Sequence, residues 1–214
     1  MKKIDLMIFD FDGTLVDTGA DLVQSINYTL RTLNLPERTE KEVISFVGDG
    51  VSKLMERALG KDHSGLQTAA MQIFSGYYAE HMLDNSVLYP GVKEVLENYR
   101  NKTKIILTNK RHHFTLRIAE SLRIENYFTD IIGADSTPFM KPDHRVMDHV
   151  FSKYPSPKEN AVVIGDGVND VIIAQNAGVL SCALLNGLGN REDLLKLRAD
   201  YYCEDIRELN SLFV

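Results

Sequence analysis

Ile4-Asp5-Leu6-Met7-Ile8-Phe9-Asp10-Phe11-Asp12-Gly13-Thr14 joins a short apolar run to two aspartates and a glycine. The run fits a buried strand, although periodicity alone does not separate it from a piece of buried helix. Asp10 and Asp12 stand two apart, so on an extended strand both side chains share one face. Gly13 lets the chain turn sharply away. Two carboxylates held together repel, which raises one pKa unless a cation sits between them. A hard divalent cation is the natural partner, since Mg²⁺ takes one or two carboxylates with waters and phosphate oxygens. The plain alternative is an acidic strand end running into a turn, with Asp12 as a cap.

The same grammar recurs downstream. Apolar runs at 104–107, 131–133, 161–165 and 179–184 read as strands, and residues 91–100, 112–122, 145–154 and 168–177 as the helices between them. Alternation of this kind predicts a doubly wound α/β fold with a parallel sheet and helices on both faces. Right-handed crossovers then bring every strand's carboxyl end to one edge, where such sheets bind ligands. From 18 to 84 the pattern changes: Leu22, Ile26, Leu30 and Leu33, then Leu54, Met55, Ala58 and Leu59, show only helical spacing. This predicts an all-helical insertion at 17–84, of about four helices, in a core made of 1–16 and 85–214. The alternative is that these helices merely extend the core.

Three further motifs follow predicted strands, two at the strand end and one in a loop beyond it. Gly165-Asp166-Gly167-Val168-Asn169-Asp170 follows an apolar run, so Asp166 sits at a strand tip and Asp170 one helical turn on. Both acids also suit an ordinary helix start, as cap and as dipole complement. Thr108-Asn109-Lys110 places a hydroxyl and backbone N–H groups ahead of a helix, an arrangement suited to phosphate, although Thr108 is equally an ordinary N-cap. Lys141-Pro142 places a cation in a loop, with Pro142 able to open a helix at its first position.

Composition bounds these readings. The 214 residues are 44% hydrophobic and 25% charged, as in a globular protein with a sizeable core. A net charge of −6 argues against nucleic acid or an anionic membrane as partner. Asp5 interrupts the apolar run a signal peptide needs, and no stretch approaches the roughly 18 apolar residues of a membrane span. Two cysteines, Cys182 and Cys203, are too few for a disulfide framework. The expectation is a cytoplasmic protein, monomer or homodimer, acting on a small molecule.

In order and spacing, Asp10-Phe11-Asp12-Gly13-Thr14, then Thr108, then Lys141-Pro142, then Gly165-Asp166 with Asp170, the chain resembles the haloacid dehalogenase superfamily in its phosphatase branch. The helical insertion resembles that family's cap domain. Leu15-Val16-Asp17-Thr18, Thr108-Asn109-Lys110 and Gly178 are similar to the phosphoglycolate phosphatase group. The resemblance implies a Rossmann-like core and hydrolysis of a small phosphomonoester, 2-phosphoglycolate first among candidates. It implies Asp10 as nucleophile forming an aspartyl phosphate, and Asp12 as acid and then base. It implies Mg²⁺ held by Asp10, the backbone carbonyl of Asp12, and Asp166, with Asp170 orienting Lys141 or a metal-bound water. Thr108, the Asn109 amide and Lys141 would clamp the phosphoryl oxygens. Lys53, beside the Gly48-Asp49-Gly50 turn, is the candidate for the substrate's non-reacting end, against the plain reading of an exposed helical lysine. Two departures stand out: His144 where the family often has a second proline, and an unassigned Arg111-His112-His113.

Other residues carry no assignment. No histidine pair has the i, i+4 spacing of a helical zinc site, Cys182 reads as core, and Tyr77, Tyr78, Tyr201 and Tyr202 read as packing residues. Rival functions are a phosphosugar mutase of the same superfamily, a phosphorylated receiver-like signalling module, and a catalytically idle binding member.

Overall fold

Leu6, Met7, Ile8 and Phe9 are buried on both faces and form β1 (Leu6–Phe9), the central strand of the sheet. Only a strand covered by helices on both sides carries such an unbroken apolar run. A computed structural model describes all residues, 1–214. Along the chain, β2 (Val16–Asp17) leads into four helices, α1 (Gly19–Thr32), α2 (Glu40–Ser45), α3 (Val51–Leu59) and α4 (Gln67–His81), and β3 (Val87–Leu88) leads out. Then follow α5 (Val92–Asn98), β4 (Thr103–Leu107), α6 (His112–Ser121), β5 (Asp130–Ile132), α7 (Arg145–Lys153), β6 (Ala161–Gly165) and α8 (Val168–Ala177). The chain finishes with β7 (Leu180–Leu184), α9 (Arg191–Lys196), β8 (Tyr201–Cys203) and α10 (Leu209–Leu212).

The sheet runs β5-β4-β1-β6-β7-β8 with every pairing parallel. Strands are added outward from β1 in both directions, which makes it the doubly wound sheet expected. Phe9 pairs with Ile106 on one side and Ile164 on the other, so three strand ends lie level at the same edge. Helix α8 ends at Gly178, whose φ of 70° places it in the left-handed region that glycine enters without strain.

Two features escaped the sequence reading. Strand β8, whose tyrosines read only as packing residues, pairs with β7 and brings Cys203 to Cys182, with sulfurs 3.6 Å apart. Strands β2 and β3 form a two-stranded antiparallel ribbon, so the chain enters and leaves the helical block side by side. One corrected detail concerns Pro142: it lies in a turn after a cis Lys141–Pro142 bond, and α7 starts only at Arg145, not at the proline.

The block α1–α4 packs Leu22, Ile26, Leu54 and Phe74 into the same apolar cluster as Phe9 and Ile106 of the sheet. Each such side chain contributes roughly 1.5–3 kcal/mol on full burial. The buried carboxylate of Asp21 on α1 ties down the returning chain, accepting from the Asn85 and Ser86 amides at 3.0 and 2.9 Å and the Ser86 hydroxyl at 2.7 Å. No helix is long and apolar enough to cross a membrane.

Candidate active site

Hydrogen bonding continues one residue past the strands. The Asp10 amide donates to the Ile164 carbonyl at 2.9 Å, and the Thr108 amide to Ile132 at 3.0 Å. The sheet itself therefore sets Asp10 and Thr108 at its carboxyl edge. Asp166 follows directly on β6 and Asp170 lies in the first turn of α8.

Asp10, Asp166 and Asp170 present carboxylate oxygens within 4.8 Å of one another. Asp166 is held from several sides: Thr14 Oγ1 donates to Oδ1 at 2.8 Å, and the Leu188 and Gly189 amides donate to Oδ2 at 2.8 and 2.9 Å. Gly13 has a φ of +82° and lies so close that a Cβ there would meet the Asp166 carboxylate at 2.0 Å. At Gly165 a Cβ would meet the Asp170 carboxylate at 2.1 Å. The two glycines are thus the clearance in which the acids sit.

Lys141 is the one ammonium among these acids. Its Nζ lies 2.9 Å from Asp10 Oδ1 and 2.6 Å from Asp170 Oδ1, and its side chain is 2% exposed. Burial works against its charge, but Asp10 and Asp170 outweigh burial and hold the pKa above the usual lysine range. Asp10 Oδ1 also accepts from the Phe11 amide at 2.7 Å, which leaves Oδ2 without a hydrogen bond. Three carboxylates against one ammonium leave surplus negative charge in a buried place. Burial and the Asp10 charge accordingly push Asp166 up to about 6, and the same two causes raise Asp170. A hard divalent cation fits this set of oxygen donors and relieves that charge.

Asp12 lines, together with Asp10, a chamber between the sheet edge and the helical block. Thr18 Oγ1 donates to its Oδ1 at 2.6 Å, and Lys110 Nζ lies 3.0 and 3.3 Å from its two oxygens. The same ammonium donates to the Tyr78 hydroxyl of α4 at 2.6 Å. Leu22, Val51, Leu54 and Phe74 of the helical block line the far wall of the chamber, and Thr108 and Asn109 its near wall.

Asn109 and Asn169 join the two sides. Asn109 Nδ2 donates to the Gly48 carbonyl and to the Lys141 carbonyl, both at 2.9 Å. Asn169 Nδ2 donates to Gly48 at 3.2 Å and to Asp49 Oδ1 at 2.7 Å. Asn109 Oδ1 is buried without a partner.

The structure thus brings Asp10, Thr108, Asn109, Lys141, Asp166 and Asp170 to one edge, with Asp12 beside them. Lys53 is not brought there. Its ammonium is spent on Glu56 at 2.7 Å, its side chain is 57% exposed, and it does not line the chamber. A position beside the Gly48–Gly50 turn does not aim the side chain inward, because on α3 the inward positions are Val51, Leu54 and Met55. Lys110 and Tyr78 were missed as site residues. Tyr78 does pack, stacked on Phe74 at 5.3 Å, but its hydroxyl reaches the site. The available signal was Lys110 itself, one residue beyond the Thr108-Asn109 pair.

The family model of the haloacid dehalogenase-like hydrolases matches residues 7–184. The phosphoglycolate phosphatase of Vibrio cholerae is 32% identical over 218 residues, covering 98% of this chain and 96% of the relative. That of Nitrosococcus oceani is 32% identical over 219 residues, covering 99% and 97%. The crystal structure of a predicted phosphoglycolate phosphatase from Haemophilus somnus superposes with a TM-score of 0.92 at 28% identity, covering 99% of each chain. A family match over most of the length, with relatives above 30% identity end to end, places the chain in the haloacid dehalogenase-like hydrolase family.

Proposed function

We propose that this hydrolase removes the phosphoryl group from a small phosphomonoester, with 2-phosphoglycolate the first candidate, through an aspartyl phosphate on Asp10. The observation that supports this most is the setting of Asp10. One oxygen is held by the Phe11 amide and Lys141, and the other carries no hydrogen bond at the sheet edge. Residues 17–84 act as a cap over a catalytic core of 1–16 and 85–214. The two free cysteines agree with a reducing compartment such as the cytoplasm.

In the first step Asp10 Oδ2 attacks phosphorus, the bond to the ester oxygen breaks, and Asp12 gives its proton to the departing alcohol. In the second, Asp12 takes a proton from water as the water oxygen attacks phosphorus, releasing phosphate and restoring Asp10. Thr108, the Asn109 amide and Lys141 hold phosphoryl oxygens as charge moves among them. Both Asp170 oxygens are engaged, one by Lys141 at 2.6 Å and one by the Gly167 amide at 3.0 Å, which suits it to positioning Lys141. Asp10, the backbone carbonyl of Asp12, and Asp166 would hold Mg²⁺. When bound, that ion supplies positive charge between the nucleophile and the phosphoryl oxygens.

Phosphate release from 2-phosphoglycolate, sugar phosphates and ethyl phosphate, with Mg²⁺ or EDTA, tests the reading. Sustained release that needs Mg²⁺ and is lost in Asp10→Asn is expected. A folded wild-type protein that releases phosphate from none of them overturns it.

A further inference from the structure

We propose that Lys110 and Tyr78 form a positioning relay that lets the helical block orient Asp12. This rests on the acid–base role of Asp12 given above, and concerns how that carboxylate is aimed rather than whether it acts.

The geometry is a chain of three side chains from three separate parts of the fold. Asp12 comes from the loop after β1, Lys110 from the loop after β4, and Tyr78 from α4 of the helical block. Lys110 Nζ contacts Asp12 Oδ1 at 3.0 Å and Tyr78 Oη at 2.6 Å, and lies 4.7 Å from the Tyr78 ring centre. All three side chains are nearly buried: those of Lys110 and Asp12 are 6% and 14% exposed, and Tyr78 as a residue 1%. Thr18 and Lys110 converge on the same Asp12 oxygen, Oδ1, at 2.6 and 3.0 Å. Oδ2 has only the longer Lys110 contact at 3.3 Å, and is the oxygen left to exchange a proton with substrate.

Lysine is a poor positioner on its own, since its stem has many rotamers and ordering it costs up to about 2 kcal/mol. Tyr78 supplies what is lacking. Its ring is fixed by stacking on Phe74 at 5.3 Å and by an edge contact with Phe114 at 5.2 Å. A rigid hydroxyl therefore fixes one end of the ammonium, and the ammonium fixes Asp12. Because Tyr78 belongs to the helical block, the relay is complete only with that block seated over the site. Proton transfer is sensitive to such placement, where an error of 1 Å costs on the order of 100-fold.

Leaving-group dependence reads this placement directly. An alkyl phosphate needs a proton at its departing oxygen, whereas p-nitrophenolate leaves as a stable anion. In Tyr78→Phe, which keeps the ring and its packing, kcat for 2-phosphoglycolate falls roughly 3- to 10-fold, about the net worth of one ordinary hydrogen bond. The fall for p-nitrophenyl phosphate is smaller, and KM moves little for either ester. In Lys110→Met the alkyl-selective loss is larger, roughly 100-fold. Adding Tyr78→Phe to Lys110→Met then costs nothing further, because the hydroxyl acts through the ammonium. Equal losses for both esters, or additive losses in the double variant, overturn the relay. Asp12→Asn separates this from the underlying reading: an alkyl-selective loss there, absent in Tyr78→Phe and Lys110→Met, sinks the relay alone. Full activity of Asp12→Asn sinks the acid–base role, and the relay with it.

Discussion

Asn169 on α8 donates a 2.7 Å hydrogen bond to the carboxylate of Asp49, in the turn before α3. One partner stands on the helix after β6, directly beside Asp170 of the acid cluster, and the other in the helical block. The bond therefore ties the helical block to the sheet edge beside the acids. Asp49 is itself held by Arg57, so the turn arrives already shaped.

Asn169→Ala is accordingly expected to weaken closure without touching the acids. Loss of one charge-assisted bond predicts a fall in kcat/KM of roughly 10-fold for small esters. Steady-state kinetics beside a thermal melt measure this. An unchanged kcat/KM with an unchanged melting point shows that the bond does not hold the closed state.

Lys141 is predicted to be indispensable twice over. Lys141→Met leaves Asp10 and Asp170 facing each other in a buried place, a loss of about 3–5 kcal/mol in stability. It also removes a cation from the phosphoryl site, at roughly 100- to 1000-fold in kcat. Adding Asp170→Asn to that variant removes one of the stranded charges, so urea unfolding recovers part of the stability while activity stays lost. Recovery of activity as well contradicts the assignment.

Acidity at the cluster predicts that stability depends on pH and on a bound divalent cation. Asp166 ionises near 6 in the folded chain and near 3.9 when unfolded. Between those values the native state holds a proton that the unfolded chain has released, so metal-free stability falls as pH rises through this window. The shift corresponds to about 3 kcal/mol lost by neutral pH, and the raised Asp170 acts in the same direction. A cation that binds the ionised acids offsets this. Millimolar Mg²⁺ should raise the melting temperature strongly near pH 8 and hardly at all near pH 5. An increment independent of pH argues that Mg²⁺ binds elsewhere.

Asp21 does not line the chamber and is predicted to act chiefly on stability. Asp21→Ala strands the Asn85 and Ser86 donors that close the return ribbon, at a cost of about 3 kcal/mol. The urea midpoint should drop, with kcat at low temperature close to wild type. A large kcat loss at full stability indicates instead that the ribbon steers the helical block.

The sheet edge was legible because its signals are local. An apolar run such as Leu6–Phe9 or Ala161–Gly165 buries on both faces only as a central parallel strand, and the next residue then has to emerge at the edge. That logic places Asp10, Thr108 and Asp166 from the sequence alone, and helical spacing likewise places the insertion between the first of them and the other two. Strand β8 and the β2–β3 ribbon were not legible. Segments of two or three residues hold too little pattern, and their pairing depends on neighbours far along the chain.

The sequence by itself determined the order of elements and which acids and hydroxyl arrive at the carboxyl edge, since hydrophobic period and strand ends are properties of neighbours in the chain. Tertiary structure alone decided where side chains point. It set Lys53 outward on Glu56 rather than into the chamber. It paired Asp12 with Lys110, and brought Tyr78 to that ammonium across 32 residues of chain. Those choices follow from packing the helical block onto the sheet, a contact that no local stretch of residues encodes.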